Sequence, residues 1–198
     1  MIQRIASPRR IASPRLGCDL PDGVLAVRAA EGDEDSFAVL VQRHSRSLLA
    51  LAHGMLGNPQ DAEEAVQDAF VSAWRRLPEY RHSAEFSTWM YRITINRCLT
   101  MRRRRRLPPL PLDTVAEPAT GDARSQPARS AEQDATTEAL SRALAELDAG
   151  QRICWILREL QGLPYNEIAH VTRTSEQTVR GRLFRARRSL QEAMGPWR

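Results

Sequence analysis

The chain has 198 residues, 42% of them hydrophobic, so it is long enough to bury one or two small cores. Its net charge is +5 and all 29 basic residues are arginine, which favours a polyanionic partner such as nucleic acid or an anionic membrane surface. Three widely spaced cysteines, Cys18, Cys98 and Cys154, indicate neither a disulfide framework nor a zinc site. With no stretch near the ~20 apolar residues of a membrane span and no signal-peptide core, we expect a soluble cytoplasmic protein without membrane insertion.

The N-terminal segment is a short tandem repeat. Residues 4–9 and 10–15 both read RIASPR, a composition too poor in apolar residues to bury a core. We therefore predict a disordered basic arm over residues 1–21. Such a short repeat is more typical of a replication slip or a mis-assigned start than of a functional element, although a basic arm could touch DNA.

Four helices are predicted between residues 22 and 106. Asp22 is placed to cap the first, and the second begins near Asp35 and is stopped by Gly57, Asn58 and Pro59. The third helix has the most regular apolar stripe, at spacings of three and four residues: Ala62, Ala65, Val66, Ala69, Phe70, Ala73, Trp74 and Leu77. Its other face carries acids. The fourth helix is expected from about Ser83 into Arg102.

Residues 107–131 contain five prolines and predict a flexible linker. Beyond it, helices are expected near residues 132–147, 149–161, 164–170 and 175–193. No alternating strand pattern occurs in either half. The sequence therefore predicts an all-α fold with two small helical modules, over residues 22–106 and 132–198.

The C-terminal segment carries a helix-turn-helix pattern. Residues 163–190 read LPYNEIAHVTRTSEQTVRGRLFRARRSL, in which Pro164 suits the first turn of a helix and Ser175 suits the N-cap of the next. A final helix rich in arginine can present guanidinium groups to guanine edges and phosphates in a major groove. By itself the motif indicates DNA binding, and a solvated basic helix stays open as the alternative.

Four segments occur in one order along the chain: DGVLAVRAAEGDEDSFAVLVQRH, DAEEAVQDAFVSAWRRL, FSTWMYRITIN and LQGLPYNEIAHVTRTSEQTVRGRLFRARRSL. In these the sequence resembles the extracytoplasmic-function sigma factors of the sigma-70 class, over about residues 22–104 and 135–192. The resemblance implies a non-enzymatic protein that binds core RNA polymerase through its β′ clamp and β subunits, recognises −35 and −10 promoter elements and promotes melting. It also implies an anti-sigma partner and no metal or cofactor.

The resemblance assigns roles to individual residues. Polymerase binding falls on the acidic face of the third helix: Asp61, Glu64, Gln67 and Asp68. The −10 element falls on the loop before the fourth helix and on that helix: Tyr80, Arg81, His82, Phe86, Asn96, Arg102, Arg103 and Arg104. The −35 element falls on the final helix: Ser175, Thr178, Arg180, Arg182, Phe184, Arg185 and Arg187.

Two of these expectations have alternatives in the residue pattern itself, and one turn residue is unusual. Phe86 is more typical of a helix core than of base stacking, whereas Tyr80 lies in a polar loop and suits a base better. Phe184 can pack inward. Arg173 stands where the turn of such motifs usually has glycine, which is unfavourable if that site is left-handed.

Two other classes of function are alternatives to a sigma factor. A stand-alone helix-turn-helix regulator would have a ligand-sensing pattern in place of the acidic helix and FSTWMYRITIN. An enzyme acting on nucleic acid has no support, because no pair of histidines among His44, His53, His82 and His170 has metal-ligand spacing and no glycine-rich phosphate loop occurs.

Overall fold

The computed structural model describes residues 19–80, 84–106 and 131–195, and the regular structure in these ranges is helical. The all-α prediction is confirmed. The N-terminal module, as described, has helices α1 (Asp22–Ala30), α2 (Glu34–Leu56), α3 (Pro59–Arg76), a 3₁₀ turn (Leu77–Glu79) and α4 (Phe86–Arg106). The C-terminal module has α5 (Ala131–Glu146), α6 (Ala149–Trp155) running into a π turn (Ile156–Leu160), α7 (Tyr165–Thr172) and α8 (Glu176–Met194). The predicted arm up to residue 18 and the predicted linker up to residue 130 lie outside the described residues.

Side-chain caps set the start of several helices. Asp33 begins α2 by accepting hydrogen bonds from the amides of Asp35 and Ser36, at 3.1 and 3.3 Å. Asn58 caps α3 in the same way, by accepting from the Asp61 amide. The prediction that Asp22 caps α1 is wrong. Its carboxylate instead accepts a hydrogen bond from Arg43 and lies 2.7 Å from the His44 imidazole on α2, so it joins two helices.

The apolar stripe of α3 is buried, as its spacing predicts. Ala65 and Ala73 have no exposed surface and Phe70 retains 8%. This core continues into the C-terminal module, where Ile156, Leu157 and Ile168 are fully buried in the same cluster. The two modules therefore pack directly against each other in this structure.

The turn between α7 and α8 holds a residue in a left-handed conformation. Arg173 has φ 52° and ψ 47°, and it is the one non-glycine residue with positive φ among the described residues. This conformation brings the Thr174 amide to the Ala169 carbonyl and ends α7. The arginine at this position is therefore strained, as the sequence predicted for a left-handed site.

Arg173→Gly is expected to raise the free energy of unfolding by about 1 kcal/mol relative to Arg173→Ala, because only glycine adopts this conformation without a clash. Urea denaturation followed by circular dichroism measures the difference. The alanine variant is the matched control, since both changes remove the same charge. Equal stability of the two variants would mean that the left-handed backbone carries no strain.

Candidate nucleic-acid interface

Helices α7 and α8 form the predicted helix-turn-helix. Ile168 and Val179 are fully buried between them, and Leu183 retains 1% of its surface. Ser175 caps α8 by accepting from the Thr178 amide at 3.2 Å, and its hydroxyl lies 2.9 Å from that of Thr178. These contacts fix the angle at which α8 leaves the turn.

The outer face of α8 carries a row of exposed side chains at helical spacing. Arg180, Phe184, Arg185 and Arg188 all point away from the buried side of the helix. Phe184 is 68% exposed, so it does not pack inward. Arg180 lies 3.5 Å from Glu176 and 5.9 Å from the Tyr165 ring centroid, both weak contacts at exposed sites. This row can reach base edges in a groove.

Two other arginines of α8 are engaged inside the module. Arg182 is half-buried against α6, where a β-carbon added at Gly150 would lie 2.9 Å from its Cζ. Its hydrogen bond lowers the pKa of the Cys154 thiol, although burial raises that pKa by more. Arg187 donates to Glu159 through Nε and Nη2, at 3.1 and 2.7 Å, and this bond raises the arginine pKa. Arg182 therefore lies off the exposed row, whereas Arg187 is half exposed and binds Glu159 through two of its three guanidinium nitrogens.

A second candidate surface lies where the chain enters α4. The Tyr80 hydroxyl donates to the Ala84 carbonyl at 2.6 Å, and its ring lies 4.9 Å from that of the half-buried Trp89. Desolvation raises the Tyr80 pKa, so the ring is a neutral stacking platform. Phe86 is only 1% exposed and packs 5.3 Å from His44. Phe86 therefore lies in the core at the start of the helix, and its contact with DNA stays a prediction from the sequence. Arg81 and His82 lie outside the described residues.

Further along, α4 has one exposed polar face. Asn96, Thr100, Arg103 and Arg104 are exposed at spacings of four, three and one residues. The Thr100 hydroxyl donates to the backbone carbonyl of Asn96 at 2.9 Å, and the Asn96 residue is exposed. Arg102 is half-buried. The face thus combines an amide with two guanidinium groups, the groups that hold nucleotides and phosphates.

The acidic face of α3 is divided between internal ion pairs and exposed groups. Asp61 is 8% exposed and binds Arg105 at 2.5 Å, so its carboxylate is engaged within the chain. Arg97 contacts Asp68 and lies 3.4 Å from Glu64, although both acids keep exposed surface. Gln67 is exposed.

Sequence reasoning missed Val71 on this same face. It is 50% exposed and lies one turn beyond Gln67, in line with Glu64. The exposure of Val71 could have been predicted from the sequence, because this residue falls outside the apolar stripe of α3. An exposed valine beside acids suits a protein interface better than a solvent face.

The described residues contain neither a candidate metal site nor a candidate membrane span. Within residues 19–80, 84–106 and 131–195, no group of three or more His, Cys, Asp and Glu side chains could hold a metal ion. Nor is any helix of that part of the chain long and apolar enough to span a bilayer.

Comparisons with known proteins agree with this geometry. Residues 40–107 match the family Sigma-70 region 2, and residues 137–190 match Sigma-70, region 4. The RNA polymerase sigma-H factor of Pseudomonas aeruginosa is 34% identical over 88% of this chain and 94% of its own length. SigM of Mycobacterium tuberculosis, an ECF RNA polymerase sigma factor, is 33% identical over 88% and 85%. The ECF sigma-E factor of Escherichia coli is 32% identical over 89% and 96%.

Solved structures give the same result for the fold. CnrH in complex with the cytosolic domain of CnrY has a TM-score of 0.69 and 28% identity, covering 88% of this chain and 97% of that one. The sigma factor RpoE in complex with the anti-sigma factor NepR from Bartonella quintana has a TM-score of 0.62, 23% identity, and coverage of 80% and 96%.

The folded chain is thus an all-helical protein with a DNA-binding helix-turn-helix. It belongs to the extracytoplasmic-function group of the sigma-70 family of RNA polymerase sigma factors. Its role is that of a sigma factor and not of a stand-alone regulator.

Proposed function

We propose that residues 22–106 bind core RNA polymerase and the −10 element, and that residues 132–198 bind the −35 element. The exposed row of arginines and Phe184 on α8 is the observation that carries this division of roles. The protein would act in the cytoplasm, where its relatives' polymerase works, and would have no catalytic activity of its own.

The −35 role rests on the chemistry of α8. Arg180 and Arg185 are exposed and can donate two parallel hydrogen bonds to a guanine edge, which distinguishes it from other bases. Ser175 and Thr178 lie at the N-terminus of α8, where hydroxyls and backbone amides suit a phosphate. Phe184 supplies an apolar contact of the kind a thymine methyl group accepts.

The −10 role rests on the entrance and the outer face of α4. A melted strand needs stacking platforms and cationic groups along its backbone. Tyr80 with Trp89 forms the platform, and Asn96, Arg103 and Arg104 form the polar face. Arg102 lies at the edge of that face. Arg81 and His82 stay proposals from the sequence alone.

The polymerase role rests on the outer face of α3, with Glu64, Gln67, Asp68 and Val71 and without Asp61. The β′ clamp and β subunits are the proposed partners. An anti-sigma factor is the second proposed protein partner, because the similar sigma factor RpoE was solved in complex with the anti-sigma factor NepR, and CnrH with the cytosolic domain of CnrY.

Run-off transcription with purified core polymerase on genomic fragments tests this proposal directly. Specific transcripts that need both the chain and core enzyme are the expected result. Tight promoter-specific binding by the chain alone, unaffected by core enzyme, would contradict it.

Gln67→Ala combined with Val71→Ser is expected to weaken binding to core polymerase about tenfold. The free energy gained by burying a valine and its neighbour in an interface corresponds to roughly this factor in the dissociation constant. These positions are preferred to Asp68, whose replacement would also break its pair with Arg97. Fluorescence titration of labelled chain with core enzyme measures the affinity. Val24→Ser on α1 is the matched control, because Val24 is similarly exposed at 41%. Equal affinities for the control and the double variant would show that this face is only solvated.

A further inference from the structure

Ion pairs join the acidic face of α3 to α4 at two levels, and the acids at the two levels differ in exposure. At one level Arg105 binds Asp61, whose side chain is only 11% exposed. At the other level Arg97 contacts Asp68 and lies 3.4 Å from Glu64, and these two acidic side chains are 45% and 61% exposed. A basic group of another macromolecule can therefore reach the acids that hold Arg97 far more readily than the acid that holds Arg105.

The guanidinium of Arg97 is incompletely satisfied where it lies. Its Nη2 makes the contacts with both acids, and its Nε is buried without a hydrogen-bond partner among the described residues. A buried donor without an acceptor is unfavourable, and a partly exposed ion pair stabilises a fold only weakly. A better set of acceptors can therefore replace the acids of α3 as partners of Arg97.

Arg97 lies on the border between the buried side of α4 and its exposed polar face. Thr94 before it and Met101 after it are buried, whereas Thr100 and Arg104 are exposed. Thr100 and Arg104 follow Arg97 by three and seven residues, so they lie on the same side of the helix. From this border the long arginine side chain can either reach the acids of α3 or turn toward the exposed face.

The two positions open to Arg97 belong to two different proposed binding surfaces. Glu64 and Asp68 belong to the surface proposed for polymerase, and a cation of polymerase that binds them competes with Arg97 for the same carboxylate oxygens. On the exposed face of α4, a displaced guanidinium lies beside Arg103 and Arg104, which carry the same charge. A phosphate relieves this repulsion and accepts hydrogen bonds from a guanidinium.

We propose that Arg97 is a further contact to the −10 strand, which the acids of α3 hold in the free chain and which polymerase releases to a strand phosphate by binding Glu64 and Asp68. This inference rests on the proposed function for the identity of the two partners, but the exchange of Arg97 between acids and phosphate does not need polymerase. Because coupling between two binding sites is reciprocal, a strand that holds Arg97 also frees the acids for polymerase. One arginine thus makes the two affinities depend on each other.

Strand binding by the free full-length chain tests the exchange without polymerase. The probe is a fluorescent single-stranded oligonucleotide, and anisotropy titrations at several salt concentrations give its affinity and salt slope. In the parent chain, Arg97→Gln is expected to change the affinity by less than about twofold, because the acids already hold the guanidinium. In a chain that carries Glu64→Gln and Asp68→Asn, Arg97→Gln is expected to weaken binding about threefold or more. The salt slope should fall by about 0.7, the value for one phosphate of a single strand.

Arg104→Gln is the matched control for these titrations. Arg104 is exposed on α4, and the ion pairs to α3 among the described residues are made by Arg97 and Arg105 instead. Arg104→Gln should therefore weaken strand binding by the same factor with and without the two acid substitutions. Comparing the two arginines within each chain cancels the change of net charge that the acid substitutions cause. An effect of Arg97→Gln that is equal in both chains, with helicity retained, would overturn the exchange.

Core polymerase is then titrated against the parent chain and the Arg97→Gln variant. The variant is expected to bind core enzyme about two- to fivefold more tightly, because the acids no longer have to leave an internal partner. The complex of the variant with core enzyme should bind the strand about threefold less tightly, with a salt slope lower by about 0.7. Arg46→Gln, on the exposed face of α2, removes the same charge and should alter neither affinity.

The two partners give separate outcomes. Weaker binding of core enzyme by the Arg97→Gln variant, or an unchanged salt slope of its complex with core enzyme, would overturn the release of Arg97 by polymerase. Failure of the parent chain to bind core enzyme would overturn the proposed function and this consequence of it. The titrations of the free chain would still decide whether Arg97 exchanges between the acids and a phosphate.

Discussion

Replacing Arg152 with methionine is expected to lower the free energy of unfolding by about 3 kcal/mol. Arg152 is 3% exposed. One guanidinium nitrogen donates to the Met55 carbonyl at 3.0 Å, and the other donates to the carbonyls of Ala145 and Leu147. Methionine keeps most of the volume but leaves these buried acceptors without their donor.

The position of these acceptors explains why the loss should be large. Ala145 and Leu147 lie at the end of α5, and Met55 lies near the end of α2, where the last carbonyls of a helix have no partner within the helix. One buried cation thus completes two helix ends from different modules. Removing this cation leaves the buried carbonyls at both helix ends without a hydrogen-bond donor.

Urea denaturation monitored by circular dichroism checks this expectation. Arg46→Met on the exposed face of α2 is the matched control, and a change within about 0.5 kcal/mol is expected there. A difference of less than about 1 kcal/mol between the two variants would show that water replaces the guanidinium at little cost.

The contrast between Arg152 and α3 shows which features the sequence could predict. The stripe of α3 is local, because residues three and four apart share a face whatever the rest of the chain does. Its burial and the cap at Ser175 follow from that local chemistry, and they are found where expected. The strain at Arg173 is also a local feature, because it follows from a non-glycine residue at a left-handed turn position.

The contacts that the sequence did not predict involve partners far away in the chain. Asp22 was expected to cap its own helix but bonds to Arg43, 21 residues later. Asp61 was expected at a surface but binds Arg105, 44 residues later. No local pattern specifies such pairs. Long-range contacts therefore decide which members of a charged face stay available to a partner.

The inward lean of Arg182 could have been predicted from the sequence, because helical periodicity relates this residue to the buried residues of α8. Val179, Leu183 and Ala186 are buried on α8, and Arg182 lies three residues after the first and four before the last. Its stem therefore leans toward the core side of the helix, where Gly150 on α6 leaves room. The neighbouring Arg185 falls on the exposed row instead.

Arg180→Ala and Arg185→Ala are each expected to reduce discrimination at individual −35 base pairs by about 5- to 150-fold, which corresponds to the roughly 1–3 kcal/mol of a bidentate guanine contact. Both side chains are exposed on the outer row of α8, and their internal contacts are weak. Transcription from a library of −35 sequences, with each variant and core polymerase, measures the preference at every position.

Arg187 should behave differently in the same assay. Arg187→Ala is expected to weaken all sequences alike and to reduce the salt slope by about one unit if it holds a phosphate. Since Glu159 already binds Arg187, Glu159→Gln should free the guanidinium and strengthen binding to every sequence, mostly at low salt. The pair of variants separates a phosphate contact from a purely structural ion pair, because breaking a structural pair from either side would only destabilise the fold. If Arg180→Ala, Arg185→Ala and Arg187→Ala all leave both sequence preference and salt slope unchanged, α8 is not the element that reads the promoter.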